Sequence, residues 1–249
     1  MEVHHHPHVE KKGFKEYFLE FLMIFLAVSL GFIAENFREH IVERKHEREF
    51  MVSLLRDLGN DTADIARVYR STSQSIARAD SMIAMFRVAD FGNTSGTLYF
   101  LGRQMGLRNL WRSNDGTIQQ LAYAGGIRLL QYKKVIDSIQ GYIRSVRELA
   151  ALQALEDTEI EEYRKMMKEV FDAFTFDDLI KRDSFLRYIR PATNPELFST
   201  DRKSINGLVL EASVVKGNRI RQLEVMNRLN GKATALIGLI RREYDLEEE

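Results

Sequence analysis

One segment near the start of the sequence constrains the fold most, because it is apolar enough to cross a membrane. Residues 21–34 form an uninterrupted apolar run, and the wider segment 17–37 adds aromatic residues at both ends. A membrane-spanning helix needs about 20 mostly apolar residues, and aromatic side chains suit the two membrane interfaces. We therefore predict a transmembrane helix over residues 17–37.

Two carboxylates lie inside this segment, and their spacing agrees with a membrane span. Glu20 and Glu35 are about 22 Å apart along a helix, so each would lie near one edge of the hydrocarbon layer. A buried core helix is the alternative, since a shorter apolar run can form one. A cleaved signal peptide is disfavoured, because residues 31–35 show no small-residue cleavage site and continue into more helix.

One stripe of this helix combines small and acidic residues. Small residues four apart let two spans approach closely, and an acidic residue on the same face is better satisfied by a neighbouring span than by lipid. We therefore consider that the span self-associates or docks on another span through this face, against the alternative that both carboxylates reach the headgroups. The stripe contains Glu20, Ala27, Gly31, Ala34 and Glu35.

The composition of the whole chain predicts an all-α fold and excludes several classes of function. Lys plus Arg equals Asp plus Glu at 36 each, so no basic field attracts nucleic acid. There are no cysteines, which removes disulfides, Cys-ligated zinc and thiol catalysis. Only three prolines interrupt the 249 residues, and alternating strand patterns are almost absent. We predict a transmembrane helix that continues into an antiparallel bundle of three to four long helices.

The pattern along the chain divides it into five segments. An apolar stripe with helical spacing begins at Met51, and the polar residues Asp61 and Thr72 interrupt it. Such interruptions would either loosen the packing or fix its register. Residues 91–96 are rich in Gly, Asn and Ser and predict a loop. Further helices are expected over 97–105, 127–174, 177–188 and 201–246. The five segments are a polar tail 1–16, the transmembrane helix 17–37, a charged helical stalk 38–50, a helical bundle 51–246 and an acidic tail 247–249.

Few side chains point to chemistry. The tract His4, His5, His6 and His8 contains good ligands for zinc, copper or nickel, but consecutive histidines form no preorganised site, and a solvated tail is favoured. No histidine follows His46, which excludes a Ser/His/Asp triad or a di-iron bundle site in the distal helices. We predict no enzymatic activity and no cofactor.

A ligand cleft is a second possibility in the middle of the chain. Residues 114–142 are dense in aromatic, Gly and Arg side chains. Together with two preceding residues, they could line a small-molecule cleft. The candidate residues are Trp111, Arg112, Arg128 and Tyr132. The alternative, that this region is packing at the end of the bundle, is favoured.

Two stretches carry a resemblance to a known family. The opening MEVHHHPHVEKKGFKEYFLEFLMIFLAVSLGFIAENFREHI with the following MVSLLRDLGNDT, and the segment TIQQLAYAGGIRLLQYKKVIDSIQGY, resemble an uncharacterised family of single-span membrane proteins common in Bacteroidota. The resemblance implies membrane anchoring in a bacterium. It implies no activity and gives no site residues to transfer.

The charges that flank the span are nearly balanced. Three lysines precede it and four basic residues follow it, and the weight of charges in a short tail favours a bundle on the periplasmic side of the bacterial inner membrane. We predict a membrane-anchored scaffold or accessory protein that associates with itself or with another membrane protein, and that binds no nucleic acid. The alternative is a periplasmic four-helix-type module that senses a ligand and acts through a separate transducer. The basic residues are Lys11, Lys12 and Lys15 before the span, and Arg38, Arg44, Lys45 and Arg48 after it.

Overall fold

The computed structural model describes residues 13–123, 126–182 and 186–246, and this part of the chain is almost entirely helical. The prediction of an all-α bundle is confirmed. The α-helices are α1 (Phe14–Val88), α2 (Phe91–Met105), α3 (Gly116–Tyr123), α4 (Lys133–Val170), α5 (Ala173–Asp178) and α6 (Arg202–Tyr244). A short 3-10 helix spans Gly126–Leu129, and the strands β1 (Ile180–Arg182) and β2 (Leu186–Tyr188) form a hairpin.

The chain divides into two compact units, Met1–Phe50 and Met51–Glu249, here called the first and second units. The described residues of the first unit belong almost entirely to α1, and the apolar side chains of residues 17–37 are exposed, apart from the half-exposed Leu22. This helix is long and apolar enough to cross a membrane, with a mean hydropathy of 2.2 in an 18-residue window of which none is buried. The second unit, in contrast, buries its apolar stripes against one another.

The α1 stripe that begins at Met51 is buried within the second unit. Met51 and Leu54 are fully buried, and the polar interruptions Asp61 and Thr72 are each only 1% exposed. Asp61 accepts hydrogen bonds from Asn114, so this interruption fixes the position of the segment between α2 and α3. A buried carboxylate needs such partners to offset its lost hydration.

Helices α4 and α6 pack side by side in antiparallel directions. Arg219 of α6 pairs with Glu156 of α4, and nine residues further along α6 Arg228 pairs with Glu148, eight residues earlier in α4. One apolar core lies where these helices meet the last part of α1 in the second unit, together with α2. It contains Ala79, Met82, Phe86, Leu98, Tyr99, Leu101, Met105, Ile160, Tyr163, Met167, Val170, Phe171, Leu179, Leu208, Ala212 and Val215.

The predicted loop at residues 91–96 was wrong, because these residues form the first turns of α2. The chain turns within two residues, with Ala89 in the left-handed region at φ 59°. The side chains of Asn93 and Thr94 in the first turn donate to the carboxylate and to the carbonyl of Asp90, respectively. Gly96 permits a close approach, since a Cβ there would lie 2.4 Å from the carbonyl oxygen of Thr193. Small polar residues therefore serve as helix-start and contact residues here.

The predicted helix over residues 177–188 was also wrong. Helix α5 ends at Asp178, and the chain continues as the antiparallel hairpin of β1 and β2. Ile180 lies directly across from Tyr188, and Ile189 donates its N–H to the carbonyl of Leu179 at 2.9 Å. β-Branched and aromatic residues make favourable cross-strand pairs, and this preference prevails over a short helix.

The second long helix is shorter at both ends than the predicted range 127–174. It begins at Lys133, after the 3-10 helix, and ends at Val170. Phe171 has extended backbone angles and is 2% exposed, so the chain leaves the helix where this ring enters the core. The last helix lies close to its predicted range, and Asp201 caps it by accepting from two backbone N–H groups.

Candidate functional site

A cleft of about 700 Å³ opens in the second unit where the ends of α2 and α4 meet α5 and β2. We call it the aromatic cleft. Its wall brings together residues that are distant in the sequence, because the end of α2 contacts the last turns of α4, and both α5 and β2 contact α2. The residues that carry its chemistry are Arg103, Arg164, Lys168, Phe174, Phe176 and Tyr188.

Phe171 and Phe176 form the floor of this cleft, and Tyr99 packs against both rings. The Phe171 centroid lies 5.1 Å from the centroids of both Tyr99 and Phe176. Such tilted arrangements are favourable because the ring edges are positive and the faces negative. Gly102 makes room for Phe171, since a Cβ at this position would lie 2.8 Å from the ring.

The hydroxyl of Tyr99 forms hydrogen bonds with two backbone segments beside the floor. It donates to the carbonyl of Glu196 at 2.8 Å and accepts from the backbone N–H of Asp172 at 2.9 Å. Burial raises the pKa of this phenol, so it remains a neutral hydrogen-bonding group. The floor is therefore fixed on both sides of α5 by one side chain.

A stacked arginine provides the first charge of the cleft. The guanidinium carbon of Arg103 lies 4.6 Å from the ring centroid of Tyr188 and 5.9 Å from that of Phe176. Its Nη2 donates to the Tyr188 hydroxyl at 3.2 Å. Its Nε is buried, and no acceptor among the described residues bonds to it. The aromatic rings thus orient the guanidinium and leave part of its donor capacity unused.

Two further cations lie along the wall that α4 contributes. Arg164 donates to the carbonyl of Gly106 at 2.7 Å, which ties α4 to the end of α2. Lys168 is 70% exposed, and its Nζ is 3.9 Å from Glu169. The acidic lining residue is Asp172, whose Oδ1 caps the first turn of α5. The electrostatic balance of the lining is therefore positive.

A fully buried ion pair lies behind the wall. Arg219 Nε donates to Glu156 Oε1 at 2.7 Å, and the side chains are 1% and 3% exposed. Arg219 Nη2 also donates to the carbonyls of Met105 and Leu107, at 3.0 and 2.7 Å. Gln222 donates to the other Glu156 oxygen at 2.8 Å. Both Glu156 oxygens and the Nε and Nη2 of Arg219 thus have strong partners, and Nη1 lies 3.4 Å from the Met105 sulfur, so the buried pair is largely compensated.

A second polar cluster holds the segment between α2 and α3. Asp61 accepts from the backbone N–H of Asn114 at 2.7 Å and from the hydroxyl of Tyr142. Asp57 accepts from the hydroxyl of Thr117 at 2.6 Å. Burial, followed by the hydrogen bond to Asp61, raises the pKa of Tyr142 well above its ordinary value. Both aspartates are committed to loop anchoring.

The four residues predicted for a ligand cleft do not come together. Trp111 and Arg112 line a separate cleft of about 490 Å³ beside α4. In the amide orientation that satisfies both groups, Gln153 bonds the backbone N–H and carbonyl of Trp111 at 2.9 and 3.0 Å. Arg128 is exposed in the 3-10 helix, and the Tyr132 ring packs edge to face on an α6 tyrosine at 4.9 Å. Tyr132 therefore packs at the end of the bundle.

The five residues of the predicted packing stripe lie on α1 in the first unit. Ala27, Gly31 and Ala34 are exposed, and no atom lies within 4 Å of a Cβ built at Gly31. Glu35 forms an ion pair with Arg38 on the same helix, with Arg38 Nε 3.0 Å from its Oε2. Glu35 therefore has a partner within its own helix. Glu20 directly precedes the apolar run and is half-exposed.

No metal site is formed within the described residues. His4, His5, His6 and His8 lie outside them. Among residues 13–123, 126–182 and 186–246, no three His, Asp or Glu side chains are arranged to hold a metal ion. His46 lies 3.4 Å from Glu49, one turn along its own helix.

None of the residues of the aromatic cleft is among those predicted from the sequence. A usable signal exists in residues 164–176, where the basic cluster RKMMK is followed closely by FDAFTF. Cationic side chains next to several aromatic rings are typical of a site for anions with apolar bodies. The contribution of Arg103 and Tyr188 depends on the packing of α2 and the hairpin, which no local pattern indicates.

A comparison of the chain with protein-family models, curated proteins and solved structures gives no match. The resemblance to the single-span family therefore stays a prediction.

Proposed function

We propose that the protein is a single-pass membrane protein that holds a helical bundle beside a bilayer, as a scaffold or accessory subunit. The observation that carries this proposal is the exposure of the apolar segment 17–37. Phe32 and Phe37 are each 69% exposed, and no part of the most apolar window is buried. Soluble monomers rarely expose a continuous apolar surface of this length, and lipid is the partner that covers it on all sides.

Membrane extraction tests the anchor. We expect the full chain to stay with membranes through an alkaline carbonate wash and to be released by detergent. Leu26→Arg places a charge near the centre of the span, at a cost of about 3 kcal/mol, and should lower the inserted fraction. Gln74→Arg, on an exposed position of the second unit, is the control. Release of the unaltered chain by alkali would contradict the anchor.

The scaffold role requires association within the membrane, which we propose occurs through the face that contains Ala27 and Gly31. A leucine at Gly31 removes the close approach that small residues permit. Ser29→Leu is a matched control, because residues two apart point about 200° from each other around a helix. Cross-linking in native membranes should give discrete species that Gly31→Leu weakens and Ser29→Leu leaves intact. If the two variants cross-link to the same extent, association through this face is refuted.

We propose that the bundle lies on the periplasmic side of a bacterial inner membrane, which the charge balance around the span supports. The chain has no cysteine, so single-cysteine reporters need no background removal. Ala151→Cys, exposed in α4, should react with a membrane-impermeant maleimide in cells with a permeable outer membrane. Glu2→Cys in the tail should react only after the inner membrane is opened. The reverse pattern would place the bundle in the cytoplasm.

A second candidate function, a ligand-sensing module that acts through a separate transducer, is favoured by the aromatic cleft. The cleft has the size and mixed lining of a small-molecule site, within a helical bundle. Saturable ligand binding to the purified chain would support this function, and a cross-linked transducer protein would be its second requirement.

A further inference from the structure

We propose that the aromatic cleft binds a small organic anion, namely a carboxylate carried on an aromatic or aliphatic body. This inference does not depend on the membrane anchor, because the cleft lies wholly within the second unit. This inference rests on the second candidate function only because both concern the same cleft. The experiments that test it measure binding without any signalling readout, so a failure of signalling and a failure of binding are distinguishable.

The dimensions of the cleft fit a small molecule. Small-molecule sites typically have volumes of about 300–1,000 Å³ and are lined mainly by apolar and aromatic groups with a few polar ones. The volume of about 700 Å³ falls within this range, and Met167, Phe171 and Phe176 supply apolar surface. The ligand therefore carries a substantial apolar body.

The charge of the lining selects an anion. The half-buried side chain of Arg103 lines the cleft, and Arg164 and Lys168 lie along the same wall. The carboxylate of Asp172 is engaged in capping α5. A planar guanidinium matches the geometry of a carboxylate, and a partly desolvated site strengthens this attraction.

The aromatic residues at the mouth support the same ligand class. Phe174 is 82% exposed and Phe198 is 68% exposed, although both line the cleft. Ligand binding would remove apolar surface of both rings from water, at about 25 cal/mol per Å². A cationic ligand is disfavoured, because the guanidinium of Arg103 already covers the face of Tyr188.

Photo-crosslinking locates the site on the full chain in lipid nanodiscs. The probe is para-benzoylbenzoate, an aromatic carboxylate that on irradiation inserts into nearby C–H bonds. We expect label on residues 164–176 or on Phe198, and competition by phenylbutyrate. Label confined to other segments would overturn the proposal.

A neutral analogue tests the charge selection. The amide of the probe has nearly the same shape, and we expect the acid to compete at least tenfold more strongly. Arg103→Met keeps the length of the side chain and removes its charge, so it should weaken the acid at least tenfold and leave the amide unchanged. Arg112→Met, in the other cleft, is the matched control and should change neither. Equal binding of acid and amide to the unaltered chain would overturn the proposal.

A second variant keeps the proposal testable if Arg103→Met does not fold. Lys168→Met changes an exposed side chain and should also weaken the acid more than the amide. Inorganic phosphate tests whether the apolar body matters, and displacement of the probe by phosphate as readily as by phenylbutyrate would contradict the proposal. Competition by phenylbutyrate alone identifies a soluble source of the ligand, whereas competition by palmitate in the bilayer identifies a lipid source; either supports the anion site.

Discussion

The buried pair of Arg219 and Glu156 gives the sharpest prediction about stability. Arg219→Met retains most of the apolar volume but removes the hydrogen bonds to Glu156 and to the carbonyls of Met105 and Leu107. Glu156 would then keep one described partner, Gln222, for a carboxylate on a side chain that is 3% exposed. Removing one member of a buried pair costs about 3–5 kcal/mol, because the other charge stays buried and uncompensated.

The expected change in melting temperature follows from this cost. A domain of this size loses about 2–4 °C per kcal/mol, so Arg219→Met should lower the Tm by about 6–20 °C. The assay is thermal unfolding of the full chain in nanodiscs, followed by circular dichroism. Glu156→Gln combined with Arg219→Met should be less destabilised than the sum of the single variants, because the pair is then removed as a unit.

The exposed pair of Arg228 and Glu148 is a matched control on the same two helices. Its N–O distance of 2.6 Å is as short as that of the buried pair, but its side chains are 50% and 51% exposed. Surface pairs contribute about 0–1 kcal/mol, so Arg228→Met should lower the Tm by at most a few degrees. If the two Arg→Met variants melt at the same temperature, burial does not set the cost and the reasoning is refuted.

Two further predictions concern backbone packing and acid stability. Gly102→Ala should destabilise the second unit by about 1–3 kcal/mol, because its Cβ would lie 2.8 Å from the Phe171 ring. Gly217→Ala, in open space on α6, should instead stabilise it by about 0.5–1 kcal/mol. Chemical unfolding of both variants checks the sign of each change in the free energy of unfolding. Hydrogen bonds from Ser204, from the Ser199 hydroxyl and from backbone N–H groups hold the pKa of Asp201 well below its ordinary value of 3.8. The contribution of this cap is therefore present above that pH and is lost as the pH falls through the folded value, so the Tm difference between the unaltered chain and Asp201→Ala should shrink on acidification. A difference that stays constant down to the acid limit of folding would contradict this linkage.

The sequence predicted the long helices because their periodic apolar stripes are local and repeat over many turns. The stripe from Met51 is buried as expected, and α6 begins one residue after its cap Asp201. The wrong predictions concern segments whose composition is compatible with two different structures. Small polar residues at 91–96 resemble a loop, but Gly96 is small because the Thr193 carbonyl approaches it. That contact joins residues almost a hundred positions apart, and a single sequence carries no local sign of it.

The aromatic cleft was not predicted either, because it also depends on contacts between residues that are far apart in the sequence. Its cations come from α2 and α4, and only the packing of these helices brings Arg103 near the wall on which Arg164 lies. Residues 114–142, with Trp111 and Arg112 before them, predicted a cleft because their aromatic, Gly and Arg content is dense. There, however, Trp111 is 4% exposed and its backbone groups face Gln153, so much of that density is packing.

The buried polar contacts of the second unit also explain how an irregular cleft wall keeps a defined geometry. The segment after α2 has no helix to hold its backbone, yet the carbonyls of Met105, Gly106 and Leu107 are held from two sides. Arg219 binds the first and third of them from within the bundle, and Arg164 binds the middle one from the cleft. An apolar core would have fixed these residues less strictly, since apolar contacts have no direction. A substitution at Arg219 should therefore disturb binding in the aromatic cleft even under conditions where the protein stays folded, because Arg103 lies only two residues before the first of these carbonyls.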